Sequence, residues 1–308
     1  MAEIIKKFTE EEYYKDFKFI TNSHILNFNY CPYFYIEKRH GKVIELDKDY
    51  FIYGKGVDSI LSKDDPEKKF FIGTSPKESL KDLEEYKKIL ENEISERAKG
   101  GKVPLKSQSE KLKKTEDKIR AAKNSKNKIV LTSTVFLNVM DTAKEILKQP
   151  LYRAFDNAKC QVIIATKING VKVKCMIDKL DLKNKIIGDD KTTAQMTTFD
   201  PEMYLQQLAW YRWIVREVYG VNCDCYLAVG DKNSLFKRSS LYYASKSRID
   251  YQEELNQEYI KKFLEYQKNN NYPTCINEEG KEMREKKCFK CDHYTYCKYS
   301  RQTEFIII

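Results

Sequence analysis

Two carboxylates and one ammonium group stand close together in the stretch CMIDKLDLKNKIIGDDKTT, which runs from Cys175 to Thr193. Asp178 lies in its first part, and Asp189 and Lys191 lie two residues apart in its second. Carboxylates are ligands of Mg²⁺, and a bound divalent metal polarises a phosphate and lowers the pKa of water. A neighbouring lysine can orient or activate that water and offset developing charge. The three residues therefore fit a metal site for phosphodiester cleavage, although they would also suit a solvated hairpin rim in this lysine-rich chain.

Two predicted strands position these groups. The first spans Val171 to Ile177 and delivers Asp178, and the second spans Lys185 to Lys191. Because alternate side chains of a strand share a face, Asp189 and the lysine two residues later point the same way. A tight turn at Lys183-Asn184 makes a hairpin that can bring Asp178 beside them. We therefore expect the two carboxylates and the ammonium group on one edge of a sheet.

The hairpin belongs to a predicted mixed sheet. An earlier strand begins near Cys160 and is joined to it by Asn169-Gly170, a strong two-residue turn signal, so three strands form an antiparallel meander. A helix follows over residues 201–219, with Asp200 as its N-cap. It crosses over to a strand at 223–229, which should pair parallel with the last meander strand. The predicted fold class is α/β, a mixed sheet flanked by helices.

Composition and charge limit the class of protein. The chain of 308 residues is 41% hydrophobic, which permits one large domain with a sizeable core or two small ones. Its net charge of +10 suits a polyanionic partner such as nucleic acid, although lysine excess can also serve solubility alone. With no apolar signal region and no bilayer-spanning stretch, we expect an intracellular protein, cytoplasmic or in a host cell if viral. In that reducing environment the nine cysteines are expected to be thiols or metal ligands rather than disulfides.

Predicted helices account for most of the remaining chain. They cover residues 21–40 with an interruption at Pro32, a stretch from Val57, an amphipathic pair between Lys63 and Lys128 broken at Gly100-Gly101, and residues 133–147 and 252–268. The charged pair is predicted to be a helical insertion or lid over residues 63–130, inside a single domain of residues 1–308. Most of its charges are expected to be solvated.

The helix at 201–219 turns polar groups toward the predicted site. Tyr204, Gln207 and Tyr211 lie at i, i+3 and i+7, which places them on one face. The two tyrosines can pack in the core, and the Gln207 amide can form a hydrogen bond there without a part in the chemistry. Beside a phosphate site, an amide and a phenol can also hydrogen-bond the scissile phosphate or steady the lysine.

The order of these motifs resembles a known family. The residues that carry the resemblance are Asp178, Asp189-x-Lys191 and, on the next helix, Gln207-x-x-x-Tyr211. They are similar to the RecB-like branch of the PD-(D/E)XK nuclease superfamily. The DxKTT spelling from Asp189, followed by Tyr204-x-x-Gln207, looks like phage and RecE-type exonucleases. The resemblance covers residues 21–230 and implies a restriction-endonuclease-like core with Mg²⁺- or Mn²⁺-dependent cleavage of DNA.

The resemblance also implies a role for each motif residue. Asp178 and Asp189 would ligate the metal, and the backbone carbonyl of Asp190 can add a ligand. Lys191 would position or activate the attacking water. The residues that would contact the phosphate or support the lysine are Gln207 and Tyr211.

One position departs from the family pattern. The family often has a histidine metal ligand on an early helix after a glycine, and GKGVDSIL places Asp58 there. Oxygen suits Mg²⁺ better than imidazole does, so we expect Asp58 to be a further ligand, near the start of a helix where a carboxylate suits the dipole. The side chain of Asp190 is a competing ligand, but strand alternation points it away from Lys191.

The sequence KKCFKCDHYTYCKYS near the C-terminus contains Cys288, Cys291 and Cys297. With Cys31 they make four, and four thiolates bind Zn²⁺ or an iron–sulfur cluster. The spacing resembles iron–sulfur nucleases, namely AddB-type helicase–nuclease subunits and CRISPR-associated RecB-like nucleases, in which the cluster ties the chain ends together. This implies a [4Fe–4S] cluster, with zinc as the alternative, in a segment 270–308 that packs back on the N-terminal region.

Other cysteines and a histidine have weaker assignments. Cys275 and His293 are the substitutes if Cys31 is not the fourth ligand. The cysteines expected to be buried in strands, without chemistry, are Cys160, Cys175, Cys223 and Cys225.

The main hypothesis is a Mg²⁺- or Mn²⁺-dependent DNA exonuclease, 5′-to-3′, of phage or host recombination and repair or of CRISPR adaptation. Its expected partners are DNA, as single strands or duplex ends, and recombination or adaptation proteins, with basic helices holding the backbone without sequence preference. The rival hypothesis is a non-catalytic DNA-binding or scaffold protein of the same fold. A third is a zinc-ribbon nucleic-acid binder with an unrelated central domain. The oligomeric state is left open.

Overall fold

A computed structural model of the chain describes residues 2–40, 49–73, 80–99, 103, 105–125, 128–233 and 237–273. The predictions for the C-terminal segment lie outside the described residues, and so does the predicted helix break at Gly100-Gly101. The residues concerned in the C-terminal segment are Cys275, Cys288, Cys291, His293 and Cys297.

Helices and strands of the described residues follow one another in a mixed order. The α-helices are α1 Glu10–Lys15, α2 Asn22–Tyr30, α3 Pro32–Arg39, α4 Asp49–Leu61, α5 Pro66–Lys69, α6 Leu80–Lys99, α7 Lys106–Ser125, α8 Ser133–Leu147, α9 Leu205–Tyr219 and α10 Lys246–Asn269. The strands are β1 Phe70–Ile72, β2 Ile129–Leu131, β3 Lys159–Ile168, β4 Val171–Asp181, β5 Ile186–Thr193, β6 Asp224–Asp231 and β7 Ser239–Ala244. The 3₁₀ helices are Pro150–Phe155, Met196–Thr198 and Pro201–Tyr204.

The central sheet has the strand order β3-β4-β5-β6-β7. Strands β3, β4 and β5 form an antiparallel meander, and its first turn places Asn169 and Gly170 at φ +50° and +86°, the left-handed region that such a two-residue turn requires. Strand β6 pairs parallel with β5 after the α9 crossover. The predicted meander, crossover and mixed α/β fold class are therefore confirmed.

The two faces of the sheet carry separate apolar cores. The larger core includes Ile187 of β5, Leu227 of β6 and Trp210 of α9, and extends to α2 and α10. The smaller one includes Ala228 of β6 with α4, α8 and the 3₁₀ helix that carries Phe155. Since side chains alternate along a strand, odd-numbered positions of β5 face α9 and even-numbered positions face the smaller core.

A buried ion network ties α9 to α10. Arg212 is buried, its Nε donates to Oε1 of Glu253 at 2.6 Å, and it also pairs with Asp250. Arg216 approaches the other oxygen of Glu253 at 2.6 Å. Because these charges are largely removed from water, they are satisfied only in one helix arrangement. The network therefore fixes the helix that carries Gln207.

Several boundaries differ from the sequence prediction. Helix α4 begins at Asp49 rather than near Val57, and Gly56 lies inside it, close to Val139 of α8. The predicted helix from residue 201 starts as a 3₁₀ turn, with Asp200 capping the N–H of Glu202 and the rings of Phe199 and Tyr204 stacked. Helix α10 begins at Lys246 rather than at 252, and strand β7 was not predicted.

The charged region at 63–130 contains α6 and α7, with β1 and β2 on either side. The two helices are linked by Lys87–Glu116 at 2.9 Å and Lys123–Glu84 at 2.9 Å, so lysines of one face glutamates of the other. Strands β1 and β2 pair in parallel, a contact that local sequence did not indicate. Treatment of this region as an insertion stays a prediction.

Candidate active site

The candidate site lies where β4 and β5 separate. Their antiparallel ladder ends at the pair Lys179 and Gly188, so the next two residues, Asp178 and Asp189, are no longer bridged by the backbone. Instead, Oδ2 of Asp178 accepts the backbone N–H of Asp190 at 2.9 Å. The two strands thus diverge from this carboxylate, and a cleft of about 490 Å³ opens there.

Asp189 and Lys191 share the face toward α9, as strand alternation predicts. Nζ of Lys191 lies 2.5 Å from Oδ2 of Asp189, and the carboxylate is almost completely buried. This ammonium is the counter-charge of the buried carboxylate, whose oxygens are of the type that binds Mg²⁺.

Helix α9 supports this pair from one side. Nε2 of Gln207 donates to Oδ1 of Asp189 at 3.2 Å and also donates to the hydroxyl of Tyr211. The ring of Tyr204 lies under the ammonium of Lys191, with Nζ 5.6 Å from its centroid. The three α9-side residues singled out from sequence therefore all lie beside Asp189 or Lys191.

Asp58 of α4 lines the same cleft as Asp178 and Asp189. It is the tenth residue of its helix, so the predicted benefit from the N-terminal dipole is wrong. Burial, with Asp178 and Asp190 nearby, raises the pKa of Asp58 well above its ordinary value. A carboxylate held among other carboxylates favours either a proton or a cation.

Charges in the cleft are out of balance. Burial raises the pKa of Asp189 to about 8, with Lys191 opposing the rise. Burial disfavours the ammonium of Lys191, but Asp189 and Asp178 more than compensate and raise its pKa. The ammonium of Lys191 therefore lies among carboxylates of three elements, and a divalent cation would balance more of their negative charge.

The donor set suits an open Mg²⁺ or Mn²⁺ site. In the part of the chain that the structure describes, no group of three or more His, Cys, Asp and Glu side chains is arranged to hold a metal ion by itself. Mg²⁺ is commonly held by one or two carboxylates and completes its shell with waters and phosphate oxygens. The carboxylates of Asp178 and Asp189 in the lining of the cleft fit that mode of binding.

The side chain of Asp190 lies on the opposite face of β5. Its two oxygens accept the hydroxyl of Tyr152 at 3.2 and 3.3 Å, and Nζ of buried Lys179 is 3.7 Å away. Burial and Asp178 raise the pKa of Asp190 to about 7, while Lys179 lowers it. The structure therefore places this carboxylate away from the cleft, and only its backbone carbonyl, 3.4 Å from Nζ of Lys191, is on the site side.

Gln161 was missed by the sequence analysis. It stands opposite Asp178 in the β3–β4 register, where the pairing is interrupted between Cys160–Lys179 and Val162–Ile177. Its φ of +50° is left-handed, and its Nε2 donates to Oδ1 of Asp178 at 3.1 Å. An amide directly before the apolar run VIIA was the available signal. In the structure this amide orients a candidate metal ligand.

We expect Gln161→Gly to weaken function without unfolding the protein. Glycine tolerates the left-handed backbone, so the change removes the amide but not the turn. Loss of a group that orients a metal ligand commonly costs about 10- to 100-fold in metal affinity or activity. Mn²⁺ titration calorimetry measures the metal affinity, and DNA digestion measures the activity. Gln161→Asn keeps a shorter amide, so its affinity and activity should lie between those of the wild type and the glycine variant. Wild-type values for the glycine variant would contradict the assigned role.

Cys31 is the described member of the predicted four-cysteine site. It is buried between α2 and α3, and its Sγ accepts the N–H of Phe34 at 3.4 Å. Tyr33, two residues after Cys31, donates its N–H to the carbonyl of Pro273 at 3.1 Å. The chain therefore returns to the neighbourhood of Cys31 before the C-terminal cysteines.

The strand cysteines mostly agree with prediction. Cys175 and Cys225 are buried in β4 and β6, while Cys223 is buried just before β6. Cys160 is only partly buried, because it lies at the end of β3, and its Sγ accepts Nζ of Lys179 at 3.3 Å.

Comparison with known proteins identifies the family. The family model of the PDDEXK-like domain of unknown function, DUF3799, matches residues 21–286. The chain belongs to this PDDEXK-like family. The resemblance to the PD-(D/E)XK superfamily is confirmed at that level.

Solved structures agree with the PDDEXK-like fold. The crystal structure of a protein from Eubacterium rectale, described as "Putative exonuclease", is similar with a TM-score of 0.60 and 15% identity, covering 98% of this chain and 95% of that one. The crystal structure of SSO0001 matches with a TM-score of 0.29 and 16% identity, over 80% of this chain and 95% of that one, which is too low to compare folds. No curated protein matches the chain. None of the described helices of this PDDEXK-like protein is long and apolar enough to cross a membrane.

Proposed function

We propose that this PDDEXK-like protein is a Mg²⁺- or Mn²⁺-dependent DNA exonuclease. The observation that carries the proposal is the convergence of Asp178, Asp189 and Lys191 on one cleft at the fork of β4 and β5. The name of the Eubacterium rectale neighbour agrees with it. A scaffold protein would not need two buried carboxylates beside a charged lysine, since buried charge is costly without a function.

The residues that would hold the cation are Asp178, Asp189, the backbone carbonyl of Asp190 and, from α4, Asp58. When bound, the metal supplies Lewis-acid polarisation of the phosphate and a lowered pKa for water. Gln207 holds Asp189 in place and Gln161 holds Asp178, so both carboxylates are oriented before substrate arrives.

Lys191 provides the charge that the reaction needs on the protein side. Asp189 keeps its ammonium protonated and fixes its position, and the ring of Tyr204 limits its movement. A fixed ammonium can hydrogen-bond a phosphate oxygen or the attacking water, and it stabilises the negative charge that develops on the phosphate. Cleavage in this way would leave a 5′-phosphate and a 3′-hydroxyl.

The direct test uses the purified full-length protein and linear DNA labelled at either end. We expect digestion with Mn²⁺ or Mg²⁺, none in EDTA, and progressive loss of the 5′ label first, since 5′-to-3′ polarity is proposed. DNA that stays intact with both metals would contradict the nuclease assignment. Internal cuts in circular DNA at the same rate would contradict the exonuclease part alone. Partners in recombination, repair or CRISPR adaptation are proposed on family resemblance only.

We also propose that Cys31, Cys288, Cys291 and Cys297 hold a [4Fe–4S] cluster, with Zn²⁺ as the alternative. The hydrogen bond from Phe34 to Sγ of Cys31 supports this, because N–H groups directed at sulfur stabilise cluster thiolates. The hydrogen bond from Tyr33 to Pro273, which places the chain beside α3 at residue 273, also supports the proposal.

Metal analysis of anaerobically purified protein tests the cluster. We expect a brown protein with about four irons per chain, and loss of colour and iron in Cys288→Ser. Cys223→Ser is a matched control, because that thiol is buried beside β6 and should leave the iron content unchanged. A colourless protein containing one zinc would replace the iron–sulfur assignment with the zinc one.

A further inference from the structure

Side chains of opposite charge line the cleft. Lys55 of α4, Lys69 of α5 and Lys128, just before β2, are among them, and we name these three the lysine wall. Lys69 already pairs with Asp64 at 3.4 Å, but both side chains are half exposed, so a phosphate can replace that weak pairing. A wall of this kind suits a phosphate backbone.

The acidic helix α1 lines the same cleft. Glu10, Tyr13 and Tyr14 of this helix are lining residues, and Glu11 and Glu12 follow Glu10 in its first turn; we name the three glutamates the acidic wall. Glu11 pairs with Lys15 at 2.5 Å, and both side chains are exposed. Glutamates at this position repel a phosphate backbone within a Debye length of about 8 Å at physiological salt. The cleft therefore has one group of side chains that attracts a polyanion and another that repels it.

Helix α1 is fixed to the strand that carries Asp178. Lys174 of β4 is buried, and its Nζ donates to the carbonyls of Tyr13 at 2.5 Å and Asp16 at 2.6 Å, at the C-terminal end of the helix. The chain before the helix is held as well, since the N–H of Ile5 donates to the carbonyl of Ala165 in β3 at 2.9 Å. The acidic wall is thus part of the folded domain and has a defined position beside the site.

We propose that the cleft accepts one unpaired DNA strand and that α1 excludes a duplex. This inference rests on the proposed nuclease function and names its substrate class. The volume of about 490 Å³ is that of a small-ligand site, enough for one or two nucleotides. A single strand can place its phosphates on the lysine wall alone, whereas a duplex would bring its second backbone against the glutamates of α1.

Tyr14 completes the argument for an unpaired strand. It is 57% exposed, lines the cleft and makes a T-shaped contact with Tyr13. An exposed aromatic ring at the cleft offers a stacking surface for an unpaired base, which a base inside a duplex cannot use. The phosphate contacts and the stacking contact thus favour the same substrate.

Binding measured by fluorescence anisotropy in EDTA tests the inference, and its result stands whether or not the protein cuts DNA. The probes are one labelled 20-nucleotide oligomer and the same sequence as a blunt duplex. We expect at least tenfold tighter binding of the single strand. Equal affinity, or tighter binding of the duplex, would overturn the inference, while failure of the nuclease function would appear only in the digestion assay.

Charge variants separate the two walls. The double variant Glu10→Gln/Glu11→Gln should bind the duplex more tightly and so reduce the ratio of duplex Kd to single-strand Kd at least threefold. It leaves Glu12, which caps α1, in place. Glu254→Gln/Glu258→Gln on exposed positions of α10 is the matched control and should change nothing. The same preference in the α1 variant and the wild type would overturn the role of α1.

The lysine wall is tested through salt dependence. Each phosphate contact contributes a slope of about 0.7 to log K against log salt for a single strand. Lys55→Gln/Lys69→Gln/Lys128→Gln should therefore lower the slope by about two, while Lys261→Gln/Lys268→Gln on exposed α10 positions should leave it unchanged. An equal fall in both variants, or in neither, would show that the phosphates do not bind this wall.

Discussion

Lys191→Ala is expected to lower kcat for DNA cleavage by about 100- to 1,000-fold, which is the effect of removing one well-placed charge donor from a reacting phosphate or carbonyl. The ammonium is held 2.5 Å from Asp189 and is kept protonated by that carboxylate and Asp178. Alanine removes the charge but leaves the proposed metal ligands in place. Mn²⁺ binding should therefore persist while turnover is lost.

Two comparisons make this result specific. Lys167→Ala, at an exposed position of β3, removes one positive charge from the same sheet and should keep wild-type kcat. Single-turnover digestion of end-labelled DNA, with circular dichroism to check folding, measures both variants. If Lys191→Ala retained more than a tenth of wild-type kcat, the lysine would not act on the reacting groups and the proposed mechanism would fail.

Local sequence was sufficient for the parts of the fold that depend on local physics. The turn at Asn169-Gly170 needs left-handed angles that these residues adopt easily, and its position sets the register of β3 on β4. Alternation along β5 then determines that Asp189 and Lys191 share a face and that Asp190 does not. The central hairpin and the placement of the three candidate groups on it were therefore predictable without tertiary information.

The remaining features depend on contacts between distant segments. β1 and β2 are three residues each and pair across about sixty residues of chain, so neither has a local signature. Gly56 lies inside helix α4, close to Val139 of α8, a contact that no window of sequence reveals. The partner of Asp178, Gln161, lies on another strand in a left-handed conformation that a long polar residue seldom adopts.

Asp190→Asn and Asp189→Asn should have opposite effects, although the residues are adjacent. Asparagine at 190 can still accept the Tyr152 hydroxyl but leaves the ammonium of buried Lys179 without its counter-charge, 3.7 Å away. Removing one partner of a buried ion pair costs about 3–5 kcal/mol of unfolding free energy. Because the Asp190 carboxylate points away from the cleft, the Kd for Mn²⁺ should change less than threefold.

Asp189→Asn should instead lower Mn²⁺ affinity strongly and change stability little. It removes a negative ligand, so Mn²⁺ affinity should fall at least about tenfold, whereas Lys191 keeps Asp178 as a counter-charge and the unfolding free energy should change by less than about 1 kcal/mol. Urea denaturation measures the unfolding free energy of each variant, and Mn²⁺ titration calorimetry measures its Kd for Mn²⁺. The double variant Lys179→Met/Asp190→Asn should recover most of the lost stability, since both charges of the pair are then absent. A loss of Mn²⁺ binding in Asp190→Asn with unchanged stability would instead show that the Asp190 side chain is a metal ligand. The face of β5 that carries Asp190, rather than the face that carries Asp189, would then point into the cleft.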